Sequence, residues 1–202
     1  MTKRWRASRR KDKYYRRAKE EDYRSRAAYK LKQLDWKYDI MSPGDTVVDL
    51  GASPGGWSQV ALEQVGDQGR VFALDIDRLP SLEGVTFIRG DVRRKEVIAK
   101  LQDQLPDGAD VVLSDMSPNI SGNYSYDHAR SIDLCECALE FASKILRDGG
   151  HIVVKMFYGD MSGGFISSAR RRFQEVHVTH PEASRPTSSE VYVVGLGFRG
   201  RR

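Results

Sequence analysis

Five charged residues stand where apolar, strand-like runs would deliver them to one edge of a sheet. Asp75 follows the run 71–74, Asp91 follows 85–88 by way of Arg89 and Gly90, and Asp115 follows 111–113. Lys155 belongs to the run 151–156, so its ammonium is expected near the sheet and not in bulk water. Glu190 opens the last run, 190–198. A carboxylate ending a second strand, 24 residues after Gly51, can accept hydrogen bonds from both hydroxyls of an adenosine ribose. A carboxylate ending the third would lie at the adenine amino group. Plainer roles stay open for each residue alone: a turn or cap for Asp75 and Asp91, a rim lysine whose stem covers apolar surface for Lys155, an edge charge for Glu190. Acidic or glycine-rich endings on three successive strands make coincidence a poorer account.

The first of these endings is residues 49–57, DLGASPGGW. Glycines after a first strand let a ligand approach the backbone, and the helix start that follows favours a polar or anionic group. Ser53 occupies the place of the second glycine in the dinucleotide pattern, which argues against a dehydrogenase. Trp57 follows Gly56 where a phosphate-binding loop needs lysine. The remaining common use of such a loop is to hold the methionine part of S-adenosylmethionine.

The elements that must position these residues alternate. Strands are predicted at 46–50, 71–74, 85–88, 111–113, 151–156, 174–180 and 190–198. Helices are predicted at 22–34, 57–65, 93–104, 127–147 and 163–173, the fourth closed by Asp148, Gly149 and Gly150. Alternation with β-rich apolar runs points to an α/β fold with a parallel sheet covered on both faces. Ligands of such sheets collect at the carboxyl ends of the strands. No repeat or low-complexity block interrupts the pattern.

With 202 residues, 40% of them hydrophobic, the chain is sized for one domain. No apolar run reaches the ~20 residues of a membrane helix. Cys135 and Cys137 are the only cysteines, two apart in a helical stretch, and the four histidines are scattered. Neither a disulfide nor a metal site is expected, and a reducing cytoplasm is the expected location. Charge divides the chain unevenly. Residues 1–32 carry 14 Lys or Arg against 4 Asp or Glu, whereas the whole chain is only +5. We therefore separate a basic N-terminal arm, 1–21, from a domain, 22–202. Cations near Trp5, Tyr14, Tyr15, Tyr23 and Tyr29 suit a nucleic acid, since they neutralise phosphates while aromatic rings stack on bases; a solvated charged tail or a mitochondrial presequence is the plainer reading, the latter opposed by Asp12, Glu20, Glu21 and Asp22.

Five ordered motifs carry a resemblance that covers about residues 22–198: YRSRAAYKL at 23–31, DLGASPGGWSQ at 49–59, LSDMSPN at 113–119, VVKMF at 153–157 and SEVY at 189–192. With them the chain resembles the FtsJ-type family of RNA ribose 2′-O-methyltransferases. The resemblance implies a Rossmann-like fold with a seven-stranded, mostly parallel sheet whose last strand is antiparallel. It implies a catalytic tetrad at Lys30, Asp115, Lys155 and Glu190, and S-adenosylmethionine contacts at Gly55, Trp57, Asp75, Asp91 and Asp115. Two departures from the family's pattern stand out. Ser53 replaces an alanine, and residues 184–189 carry Pro186 and lack a second arginine.

The expectation is a monomeric enzyme that methylates a uridine ribose in 23S (large-subunit) ribosomal RNA without a metal, Lys155 acting as general base or orienting the ribose oxygen. The large subunit and the uridine follow from the resemblance alone. A transfer-RNA 2′-O-methyltransferase and a non-catalytic RNA-binding module on the same scaffold remain as alternatives.

Overall fold

The computed structural model describes residues 12–185 and 188–200. Residues 1–11 of the predicted arm, Trp5 among them, and the Pro186–Thr187 pair of the loop before Glu190 lie outside the described residues. The elements run α1 (Lys13–Glu20), α2 (Ala28–Tyr38), β1 (Thr46–Leu50), α3 (Gly56–Val65), β2 (Arg70–Asp75), β3 (Val85–Arg89), α4 (Lys95–Gln102), β4 (Ala109–Ser114), α5 (Tyr124–Ile145), β5 (Leu146–Phe157), α6 (Ser162–Arg172), β6 (Phe173–Thr179) and β7 (Glu190–Phe198).

One seven-stranded sheet has the order β3-β2-β1-β4-β5-β7-β6. The neighbours β3, β2, β1, β4 and β5 pair in parallel, and β7 runs antiparallel to both β5 and β6. Side chains alternate across the central strands, as a period of two requires. Leu50, Leu74, Val112 and Val154 join the core under α5 and α6, with Phe141 and Phe165. Val47, Val71, Val111 and Val153 join the opposite core with Leu31, Leu34 and Val60 of α2 and α3. Both faces are covered, which is why the strands read as near-continuous apolar runs.

Three expectations change. The helix predicted from residue 22 begins at Ala28, because the preceding segment is held by α3 and not by its own helix. Asp22 adopts φ 56, the Arg24 N–H donates to Gln59 Oε1 at 2.8 Å, and the Tyr23 hydroxyl bonds Glu63 at 2.6 Å. Helix α5 ends at Ile145, and Asp148, Gly149 and Gly150 lie within β5 instead of capping the helix. Leu146 already pairs with Ala109, and the register slips before His151 pairs with Val111. A Cβ on Gly150 would come within 2.8 Å of the Asp110 carbonyl, so glycine admits this crossing.

The third change concerns the aromatic residues interleaved with cations. Tyr14, Tyr23 and Tyr29 are buried together, with Tyr14 and Tyr23 packed on either side of Tyr29 at 5.5 and 5.6 Å. All three rings are buried, with Lys13, Arg17 and Lys32 over their faces, so they are not open for a base to stack on. Packing against the domain thus starts ahead of residue 22, with Tyr14 and Ala18 of α1.

Candidate active site

Lys155 sits near the carboxyl end of β5, only 9% exposed. Its Nζ donates to the Asp115 backbone carbonyl at 2.5 Å and lies 3.2 Å from Asp115 Oδ1. Antiparallel pairing of β5 with β7 sets Tyr192 directly opposite Lys155. The Tyr192 hydroxyl lies 2.8 Å from Asp115 Oδ1 and 2.7 Å from Glu190 Oε1. From α2, Lys30 makes a partly buried ion pair with Glu190, and its Nζ donates to the Tyr192 hydroxyl at 3.1 Å.

All four tetrad residues therefore meet, drawn from α2, the loop after β4, β5 and the start of β7. Sequence reasoning missed Tyr192, the residue that joins the two halves. The signal was present: Tyr192 is two residues after Glu190 on a strand, so both side chains share a face.

The electrostatics follow from burial and neighbours. Burial alone would raise the Glu190 carboxyl, but the Lys30 ammonium, with Lys155 and the Tyr192 hydroxyl, holds Glu190 below the usual range. Burial and the Asp115 and Glu190 carboxylates push the Tyr192 phenol well above its ordinary value, so it stays a neutral donor.

A cleft of about 350 Å³ opens beside the tetrad at the carboxyl ends of β1–β4, lined by Gly51, Ser53, Asp75, Asp91, Asp115 and Met116 among others. Asp75 Oδ2 accepts the Ser53 N–H and its Oδ1 the Asp77 N–H, both at 2.8 Å, which fixes the carboxylate at the rim. The Arg93 backbone N–H donates to Asp91 at 3.0 Å and holds that carboxyl below its usual range. A Cβ at Gly51, whose φ is +71, would meet Met116 Cγ at 2.6 Å, so glycine lets the loops after β1 and β4 close together. Asp115 belongs to both the cleft and the tetrad.

Gly55 and Trp57 do not line this cleft. Gly55, at φ +110, precedes α3 and faces Arg24 and Leu79. The Trp57 indole N–H donates to the Ala27 carbonyl at 2.9 Å, and its ring packs 5.7 Å from that of Tyr192. A second residue missed by sequence reasoning lies beneath the glycine loop. Asp49 is fully buried, accepts the Ser58 hydroxyl at 2.7 Å, and has no hydrogen-bond partner for Oδ1 among the described residues. Burial pushes its carboxyl up to about 7.

Among the described residues, no helix is long and apolar enough to cross a membrane, and no cluster of three or more His, Cys, Asp or Glu could hold a metal ion.

The sheet order, the single reversed strand and a glycine loop facing acidic strand ends define a Rossmann-like α/β methyltransferase fold. The sequence profile of the FtsJ-like methyltransferases matches residues 23–198, and the chain belongs to that family. It is 50% identical over 185 residues to the ribosomal RNA large subunit methyltransferase E of Methanothrix thermoacetophila, covering 92% of this chain and 72% of that one. It is 47% identical over 203 residues to the protein of the same name from Methanothermobacter thermautotrophicus, covering 100% and 96%. A Plasmodium falciparum structure provisionally designated a ribosomal RNA methyltransferase superposes with a TM-score of 0.81 at 33% identity, over 89% of this chain and 100% of that one.

Proposed function

We propose that this protein transfers a methyl group from S-adenosylmethionine to the 2′-hydroxyl of a uridine ribose in large-subunit ribosomal RNA, working as a monomer in the cytoplasm. One observation carries the reading: Asp115 lines the cleft and touches Lys155, so a cofactor methyl and a ribose oxygen can be brought to one point. The names of the archaeal relatives support ribosomal RNA of the large subunit as the substrate. The uridine and the 2′-oxygen rest on the resemblance in the tetrad motifs.

The cleft suits this cofactor by its donor set. Four carboxylates line it, Asp75, Asp77, Asp91 and Asp115, and Arg93 is the cation among its lining residues. A dinucleotide's phosphates would be repelled there, whereas a ribose diol and a cationic methionine end would be welcomed. Asp75 suits the ribose hydroxyls, Asp91 the adenine amino group, and Gly51 to Ser53 the backbone approach to the methionine portion. When bound, S-adenosylmethionine supplies a methyl already activated by its sulfonium charge.

What remains for the protein is alignment and control of one proton. Lys155 Nζ, anchored on the Asp115 carbonyl and carboxylate, is the atom that orients the incoming ribose oxygen. Asp115 is held in turn by the Tyr192 hydroxyl, and Tyr192 by Lys30 and Glu190. A rigid support of this kind is what positioning requires; well-aligned reactants can recover as much as ~7–11 kcal/mol of a barrier. The test is transfer of labelled methyl from S-adenosylmethionine to large-subunit ribosomal RNA and to transfer RNA, followed by nucleoside mapping. We expect label on a 2′-O-methyluridine of the large-subunit RNA. Label on transfer RNA alone overturns the substrate, and tight cofactor binding with no transfer to either overturns the enzyme.

A further inference from the structure

Beside the tetrad lies an aromatic surface that none of the motifs includes. Tyr124, Tyr126 and Tyr158 are 59%, 54% and 56% exposed, and Ile120 and Met161 stand exposed with them. These residues come from two segments, the start of α5 with the residues just before it and the loop after β5, and direct contacts of Tyr124 and His128 join the segments. The Tyr124 hydroxyl donates to the Tyr158 carbonyl at 2.8 Å. The Tyr124 ring stacks on His128, whose Nδ1 lies 3.0 Å from the Phe157 carbonyl and whose Nε2 accepts the Met161 N–H at 3.1 Å. Gly159 permits this approach, because a Cβ there would meet the His128 ring at 2.8 Å. Backbone fixed in this way beneath an exposed ring loses little freedom when a ligand covers it.

The surface is continuous with the reaction site. Phe157 pairs with Glu190 across β5 and β7, and the Tyr158 N–H donates to the carbonyl of Ser189, next to Glu190. Cleft-lining Met116, Ser117 and Asn119 lead along the same loop to Ile120. A ribose presented to Lys155 must bring its neighbouring nucleotides over the loops that follow β4 and β5.

We propose that Tyr158 forms a stacking platform for an unpaired base that flanks the methylated nucleotide. Single-stranded RNA is commonly held in this way, by bases splayed onto aromatic faces. The inference rests on the proposed transfer to RNA. Tyr124 serves as the brace, because its hydroxyl is committed to the Tyr158 carbonyl.

The test compares Tyr158→Ala, Tyr158→Leu and Tyr158→Phe with wild type in methyl transfer to naked large-subunit ribosomal RNA, alongside S-adenosylmethionine affinity. Tyr158→Ala should lower kcat/KM for RNA by roughly five- to a hundredfold, the usual range for a lost base–aromatic stack. Cofactor affinity should not move, and Phe should restore activity where Leu does not. On a short RNA with an abasic nucleotide beside the mapped target, wild type and Tyr158→Ala should become alike. Equal activity of the Leu and Phe variants overturns the platform, and so does an undiminished difference on abasic RNA. Losses on assembled subunits but not on naked RNA also overturn it, and would assign the surface to a protein contact. A wild-type protein that methylates RNA while its variants match it removes this inference alone; one that methylates no RNA removes the proposed function as well.

Discussion

Tyr192 places its hydroxyl 2.8 Å from the Asp115 carboxylate, making a phenol buried beside β5 the link between the cleft at the strand ends and the Lys30–Glu190 pair. One phenolic proton faces two carboxylates, so it satisfies one fully at any instant while Lys30 and Lys155 balance the charge. Tyr192→Phe removes that proton and leaves the ring in place against Trp57. Hydrogen bonds to charged groups contribute about 1.5–3 kcal/mol. We expect kcat to fall roughly tenfold to a hundredfold with cofactor affinity within about twofold of wild type. Single-turnover transfer and calorimetric cofactor binding check this, and a loss confined to cofactor affinity would place Tyr192 outside the reaction.

Lys155→Ala should abolish transfer while leaving S-adenosylmethionine binding nearly intact, because Lys155 does not line the cleft. Its removal leaves the Asp115 carboxylate with the Tyr192 hydroxyl as partner, so Asp115 keeps an anchor. Methyl transfer and equilibrium binding, measured on the same preparation, separate the two effects. Near-normal turnover sinks the assignment.

Asp75→Ala should act on the other side of Asp115. Its carboxylate organises the Ser53 and Asp77 N–H groups besides facing the cleft. Losing a charged hydrogen-bonding group there should weaken cofactor binding about tenfold or more, with much less effect on the rate at saturating cofactor. Titration of cofactor by tryptophan fluorescence or calorimetry is the check. An unchanged dissociation constant would remove Asp75 from the cofactor site.

Asp49 makes stability depend on pH in an unusual direction. An unfolded aspartate titrates near ~3.9, and burial raises folded Asp49 to about 7. Between those values the folded protein holds a proton that the unfolded chain has released. This contribution to stability is therefore full below ~4 and lost as pH rises through 7. Asp49→Asn removes the titration, so the variant should gain on wild type between pH 5 and 8, by roughly 2–4 kcal/mol. Urea unfolding of both proteins across that range decides it, and parallel curves would assign the titration elsewhere.

Basic residues at the N-terminus call for two truncations rather than one. Residues 1–11 hold six Lys or Arg and no acid, whereas α1 contributes Tyr14 and Ala18 to the core. Removing 1–11 should flatten the salt dependence of RNA binding, each lost phosphate contact changing the slope by ~0.7 for single strands. Cofactor affinity should not change. Removing 1–20 should in addition destabilise the fold by uncovering Tyr29. A salt titration of RNA affinity with thermal melts of both truncations tests this, and an unchanged slope counts against the arm.

By itself, the sequence determined the order of the elements and the chemistry placed at their ends. The apolar runs are long enough to show the strands, and Asp75, Asp91, Asp115 and Lys155 stand where each run ends, so a sheet must bring them to one edge. It also determined the family, since five motifs in order leave little freedom. What it left undetermined were contacts between segments far apart in the chain. The start of α2 at Ala28 depends on Gln59 and Glu63 capturing the preceding loop, which no local propensity records. The entry of Asp148, Gly149 and Gly150 into β5 depends on a bridge to Ala109.

Only the tertiary structure decided that Tyr192 joins the tetrad, that Asp49 is stranded in the core, and that Tyr14, Tyr23 and Tyr29 face inward while Tyr126 and Tyr158 face outward. The physical reason is the same each time. Residue type shows what a side chain can do, whereas burial and the partner across the gap decide which of those things it does, and both belong to the packed chain.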